Sequence, residues 1–453
     1  MSTRIRDLPD TPVGRAVDWL LDNEGPGELD VAAVEAHFAP SWLSEFGAEQ
    51  TVELLTSSPD WMRTAEVESM SPSPFSLQVT LIVGGEPRAV LEAVVEEAEP
   101  HRFVATLIRA PGPGIAEIIE RAEPMSGPLP DAVDAGFAPI RWLLQAGGIV
   151  VGVSRQGVRE LFALGADASL RYEIGSITKT FTGTLLAEMS LRGEVAFSDP
   201  VRRYLPDGVV VPREEDREIT LEDLATHSSG LPRVPPNMLE DSNPSDPYAH
   251  IDEARLYEEL AVTTLDFPIG SRCAYSNFGF GLLGHALARA AGRPLSDLMR
   301  ERITAPLAMD RTAFTPQGED LAQGFAGKAP GVRWTGEMFS GAGCGYESTI
   351  DDMLTYGEAN ADPDSTPIGA AINEAHRERI GMDELTSVGL GWVRIRLKDS
   401  SIALFHNGGT GSFRSSLVCH QATKTVVVAL CNAAAAMLDA ATIGLAIGLA
   451  AGS

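Results

Sequence analysis

The extended segments of this chain fall in two groups at opposite ends of one region, and that placement limits the fold more than any other feature. Short apolar runs bounded by turn residues lie at 148–153 and 160–164, around Gln156-Gly157. Later ones come only at 391–397, 402–406, 415–420 and 425–431. Between them the apolar spacing is helical, as at Ile177, Phe181, Leu185 and Met189 of a helix predicted over 176–191 and stopped at Gly193. Those four residues suggest one buried face. Two strands early, helices in the middle and several strands late describe one sheet assembled from both ends of a domain. The apolar stretch 433–451 follows the last strand run and is interrupted by Asp439, so it reads as a helix packed on that sheet rather than a membrane span.

At 453 residues the chain exceeds one ordinary core, so two domains are expected. Residues 10–57 show helical patterns, with Ala16, Leu20 and Leu21 on one face and Val31, Val34 and Phe38 on another. Three extended runs follow at 75–83, 88–96 and 102–109, divided by Gly84-Gly85-Glu86-Pro87 and Glu99-Pro100. Helices followed by an antiparallel meander make a small α+β unit. Breaker-rich stretches at 110–114 and 124–130 place the boundary so that the domains are 1–125 and 126–453.

The net charge of −28 repels phosphate backbones and anionic lipid, which argues against nucleic-acid and membrane-surface roles. Acidic clusters such as 214–218 read as solvated surface, and neither a metal nor a cofactor is expected. Residues 1–9 contain no apolar leader core, so a cytoplasmic location is expected. Cys273, Cys344, Cys419 and Cys431 form no CxxC pair and read as free, mostly buried thiols. The expected partner is a small molecule; self-association into a homo-oligomer is left open.

Ser176-Ile177-Thr178-Lys179 places a hydroxyl and an amine three residues apart at a helix start, where positions i and i+3 share a face. Serine is a weak nucleophile until a partner accepts its proton, and a buried lysine can have its pKa lowered enough to do so. The same residues would also suit a helix cap and a solvated lysine, although only four lysines occur in the chain. Tyr275-Ser276-Asn277 offers a phenol that can relay protons and an amide that can bind substrate or orient Lys179. Phe405-His406-Asn407-Gly408-Gly409-Thr410 ends a strand with glycines that let a substrate approach the backbone.

The order and spacing of these three segments resemble the serine β-lactamase, penicillin-binding protein and carboxylesterase superfamily, in particular its class C and esterase branch. The resemblance covers about 145–450 and extends to the segments 224–232, 341–345, 349–352 and 389–392. It implies a β-lactamase-like fold, an antiparallel sheet flanked by helices plus an all-helical lobe. It also implies Ser176 as nucleophile, Lys179 as its activator and Tyr275 as proton relay. Asn277, His406 and Gly408 would bind substrate, with the backbone N–H groups of Ser176 and Gly409 as oxyanion hole. His227 would belong to a structural turn. His406 stands where class C β-lactamases carry the lysine of Lys-Thr-Gly, which points to an ester or amide hydrolase rather than an efficient β-lactamase. An acyltransferase or cyclase of secondary metabolism, a β-lactamase or D-peptidase, and a non-catalytic ligand-binding protein are the alternatives. The first unit resembles a steroid-isomerase-like (NTF2-type) cone, serving as an accessory domain.

Overall fold

A computed structural model describes residues 8, 11–23, 29–40, 42–43, 47–56, 66–72, 76–83, 86–96, 99–109, 114–125, 127–144, 146–238, 242–243, 246–314, 320–326, 329–434 and 438–452. Residues 1–7, Gly84-Gly85 and 110–113 lie outside the described residues.

The chain divides into two compact units, Met1–Gly112 and Pro113–Ser453. The division precedes the expected boundary at 125/126, and the reason is packing. Helix Ile115–Arg121 buries Ile118 and Ile119 against the C-terminal helix Asp439–Ala451, so it belongs to the second unit.

In the first unit, helices Pro12–Asn23, Val31–His37 and Ala48–Thr56 precede a four-stranded antiparallel meander. Its strands are Glu66–Pro72, Ser76–Val83, Glu86–Val95 and Phe103–Arg109, paired in chain order. Strand Glu66–Pro72 was not expected, because its polar, Pro-ended sequence carries little strand signal. Val13, Val17, Leu20 and Leu21 form the buried stripe of the first helix, while Ala16 is only partly buried beside it. Asp30 caps the second helix by accepting from Ala33 N at 2.8 Å.

The second unit is built on an eight-stranded antiparallel sheet. In spatial order its strands are Ile380–Gly381, Thr386–Val388, Val393–Arg396, Ile402–Gly409, Arg414–His420, Thr425–Cys431, Ile149–Arg155 and Val158–Leu164. Thr425–Cys431 pairs with Ile149–Arg155 from Thr425↔Arg155 to Cys431↔Ile149, joining the two ends of the unit as the strand distribution required. The first two strands of this order were missed; they hold only two and three residues. Every residue of Thr425–Cys431 is buried, which explains why it reads as a continuous apolar run.

Alternate residues serve opposite faces of the sheet. Ile149, Val151 and Val153 face helices Ile115–Arg121, Leu129–Leu143 and Asp439–Ala451. Val150, Leu417, Val426 and Val428 face the larger helical layer that carries Phe181, Met353 and Leu354. Helix Asp439–Ala451 confirms the packed C-terminal helix, and no helix among the described residues is long and apolar enough to cross a membrane. All four cysteines are free, and all but Cys273 are buried.

Candidate active site

The nucleophile segment leaves a buried two-residue strand, Tyr172–Glu173, and enters a 3₁₀ turn at Gly175–Ile177 before helix Thr178–Leu191 begins. Ser176 therefore sits one turn ahead of the helix, and Lys179 on its first turn. The expected single buried face is corrected here: Thr178 to Met189 are buried on every side. The helix tolerates this because its polar groups are satisfied locally. Thr180 Oγ1 donates to Ile177 O at 2.7 Å and Thr184 Oγ1 to Thr180 O at 2.8 Å.

Lys179 is fully buried, and this environment strongly disfavours its charged form. Removal from water pushes its pKa well below the ordinary lysine value, and the positive charge of Arg233 adds to the effect. Nζ lies 2.6 Å from Ala342 O, 2.8 Å from Asn277 Oδ1 and 3.0 Å from Ser176 Oγ. Two of these partners can only accept, and the third is a hydroxyl. Nζ donates to Ala342 O and Asn277 Oδ1, and its third contact is the Ser176 hydroxyl; with the pKa lowered, the neutral amine can turn its lone pair to that hydroxyl.

Tyr275-Ser276-Asn277 reaches the same point by another route. Ser276 caps helix Asn277–Ala291, accepting from Gly279 N at 2.9 Å and donating to Pro232 O at 2.7 Å. Flanking this cap, Tyr275 and Asn277 both turn toward Lys179. Asn277 Nδ2 donates to Tyr248 Oη at 3.0 Å, which fixes its oxygen on Lys179. The Tyr275 hydroxyl bonds Ser176, and burial pushes its pKa up to about 12, against the opposing effects of that bond and of Arg233. The phenol thus keeps its proton at neutral pH.

Strand Ile402–Gly409 ends against the nucleophile turn at backbone-contact distance. A Cβ on Gly408 would lie 2.0 Å from Ile174 O, and one on Gly175 would lie 2.6 Å from Gly409 N. Gly175 also has φ +50°, in the left-handed region. Ser415 Oγ donates to Ile174 O at 2.7 Å and stitches the two segments together.

The cleft over Ser176 is lined by Gly175, Tyr248, Asn277, Trp334, Phe339 and Gly409, among others. Ser176, Lys179, Tyr275 and Asn277 are thus brought together, with Gly409 beside them. Gly408 instead backs onto Ile174. His406 is buried with its ring 6.4 Å from that of Tyr275. Its Nδ1–H donates to Asn407 O at 2.6 Å, and burial lowers its pKa to about 3, aided by Lys179, so the imidazole is neutral. A larger surface depression near Gln156, Asp362 and Lys424 contains none of these groups.

Sequence reasoning missed the aromatic wall of Tyr248, Trp334 and Phe339, which carries no local signal. It also missed Glu173, whose carboxylate accepts from Thr410 Oγ1 at 2.8 Å and Trp334 N at 3.0 Å and whose pKa burial raises to about 7. His227 has φ 57°, accepts from Ser276 N at 3.1 Å through Nδ1 and packs 4.5 Å from the Tyr275 ring, in keeping with a structural turn. Cys344 lines the cleft, but burial pushes its thiol pKa up and keeps it protonated.

The fold and the site define an active-serine protein, in which a hydroxyl is set against a buried amine whose pKa is lowered. Residues 138–451 match the Beta-lactamase family profile. The chain belongs to that family. It is 32% identical over 259 residues to the D-alanyl-D-alanine-carboxypeptidase/endopeptidase AmpH of Escherichia coli (strain K12), a stretch spanning 53% of this chain and 65% of AmpH. A β-lactamase of Pseudomonas fluorescens is 27% identical over 274 residues, 57% of this chain and 73% of that protein. The fold is also similar to a crystal structure of a β-lactamase/D-alanine carboxypeptidase from Yersinia pestis. That match has a TM-score of 0.60 and 24% identity, covering 72% of this chain and 99% of the other.

Proposed function

We propose that this protein is a serine hydrolase that cleaves esters through an acyl-serine intermediate. One observation carries the reading: the Lys179 amine is buried among two obligate acceptors and the Ser176 hydroxyl, an arrangement suited to a neutral base. Lys179 takes the Ser176 proton as Oγ attacks the carbonyl. The backbone N–H groups of Ser176 and Gly409 hold the developing oxyanion, and Tyr275 passes a proton to the leaving oxygen. Water, activated by the same pair, then releases the acid. Neutral His406 supports esters over β-lactams, since it brings no charge to the third-motif position where a lysine would face a β-lactam carboxylate.

Cleavage of a β-lactam or a D-alanyl peptide is the second reading, favoured by the names of the relatives above. The two are separated by intact-mass spectrometry and steady-state rates with activated esters, penicillins, a D-alanyl-D-alanine peptide and a fluorophosphonate. The ester reading expects a fluorophosphonate adduct on Ser176, absent in Ser176→Ala, and higher kcat/KM for esters than for any β-lactam or peptide. A β-lactam or peptide turned over faster than every ester overturns it. The first unit, helices followed by an antiparallel meander, fits an NTF2-type accessory role within this reading.

A further inference from the structure

The acyl-serine chemistry leaves one charged group beside Tyr275 without a task. Arg233 follows Leu231-Pro232, and its carbonyl accepts from Asn277 N at 2.8 Å and Phe278 N at 3.2 Å. The residue is thereby tied to the first turn of the helix that carries Asn277. Its side chain is exposed, and its guanidinium lies over the Tyr275 ring with Cζ 5.0 Å from the centroid. Stacking on the ring holds the head group in position without neutralising it.

Several other arginines of the second unit are paired: Arg217 with Asp223, Arg255 with Glu259, and Arg379 with Glu222 and Glu374. Among the described residues no carboxylate pairs with Arg233, in a chain that holds 63 acidic residues against 35 basic ones. Its charge is felt across the site, at Lys179, His227, Tyr248 and Tyr275. The Tyr275 hydroxyl interacts with Ser176, so the ring lies between guanidinium and nucleophile, a separation on the order of 10 Å. That distance suits a small molecule with a reactive carbonyl at one point and an acid group a few bonds away. With His406 uncharged, Arg233 is an exposed cation beside Tyr275, and its planar fork matches a carboxylate.

We propose that Arg233 is an anion-binding subsite of this active centre, and that the preferred substrate is an ester bearing a carboxylate that the guanidinium holds while its carbonyl sits at Ser176. The inference rests on the acyl-serine reading and names its substrate class.

Matched pairs of activated esters test it. Methyl 4-acetoxybenzoate against 4-acetoxybenzoate places the charge on the leaving side. Phenyl methyl glutarate against phenyl hydrogen glutarate places it on the acyl side. In at least one pair the anionic member is expected to be preferred by about tenfold in kcat/KM, expressed mainly in KM, with the preference weakening as salt rises. Arg233→Gln should remove the preference and Arg233→Glu should reverse it. No preference in the unsubstituted protein, or one that survives in Arg233→Gln while the neutral esters are still cleaved, overturns the subsite and leaves the hydrolase reading standing. Failure to cleave any of the esters, together with no fluorophosphonate adduct on Ser176, overturns the hydrolase reading and this inference with it.

Discussion

Replacing Gly408 with alanine tests whether the end of strand Ile402–Gly409 supplies part of the oxyanion hole. The added Cβ would stand 2.0 Å from Ile174 O and 2.4 Å from Ser415 Oγ. The Ser415 hydroxyl can rotate, but the Ile174 carbonyl belongs to the backbone immediately before the nucleophile turn. A carbon and a carbonyl oxygen tolerate about 3.3 Å, so strand and turn must part by about 1 Å or more. An oxyanion donor works at 2.7–3.1 Å, and a shift of ~1 Å takes the Gly409 N–H beyond useful range. Losing one such donor typically lowers kcat by about 10²–10³, or about 2.7–4 kcal/mol of transition-state stabilisation. Overpacking at the same point is expected to cost about 1–3 kcal/mol of folding stability. The assay is kcat for a neutral activated ester in Gly408→Ala, beside its urea unfolding curve. A folded variant that keeps more than about a third of kcat would refute the reasoning, because the strand end would then be free to move without consequence.

Lys179→Met and Tyr275→Phe should each lower kcat by about 10²–10⁴ with less change in KM, and steady-state kinetics on the same ester checks this. In the unsubstituted protein kcat/KM should rise with pH through the lowered pKa of Lys179, since the neutral amine is the active form, then stay level until Tyr275 loses its proton near about 12. The same shift makes stability rise with pH. Unfolded Lys179 holds a proton that the folded amine has released, so urea unfolding across pH should show a slope that Lys179→Met diminishes. His406→Lys should raise the rate of β-lactam acylation relative to ester hydrolysis; an unchanged ratio would mean that the third motif does not select the substrate.

What the linear sequence determined was the set of local facts that need no partner. The alternating and helical runs marked most of the sheet and the nucleophile helix. The spacing of Ser176, Lys179, Tyr275 and Asn277 marked a hydroxyl, a base, a relay and an orienting amide. Strands Glu66–Pro72, Ile380–Gly381 and Thr386–Val388 escaped because polar or very short segments form strands only when a neighbour is already in place. Helix Thr178–Leu191 looked amphipathic, yet its threonines satisfy their own hydroxyls and allow burial on all sides. Only the tertiary structure decided the protonation of the site, because pKa depends on distance from water and on charges remote in sequence. The charged form of Lys179 is disfavoured because Ala342, Asn277 and its apolar surroundings enclose it, and His406 is neutral because the sheet buries it. The aromatic wall and Arg233 belong to the same class: Tyr248 meets Trp334 and Phe339 from a segment remote in sequence, and the unpaired charge of Arg233 emerges only once neighbouring carboxylates have found other partners.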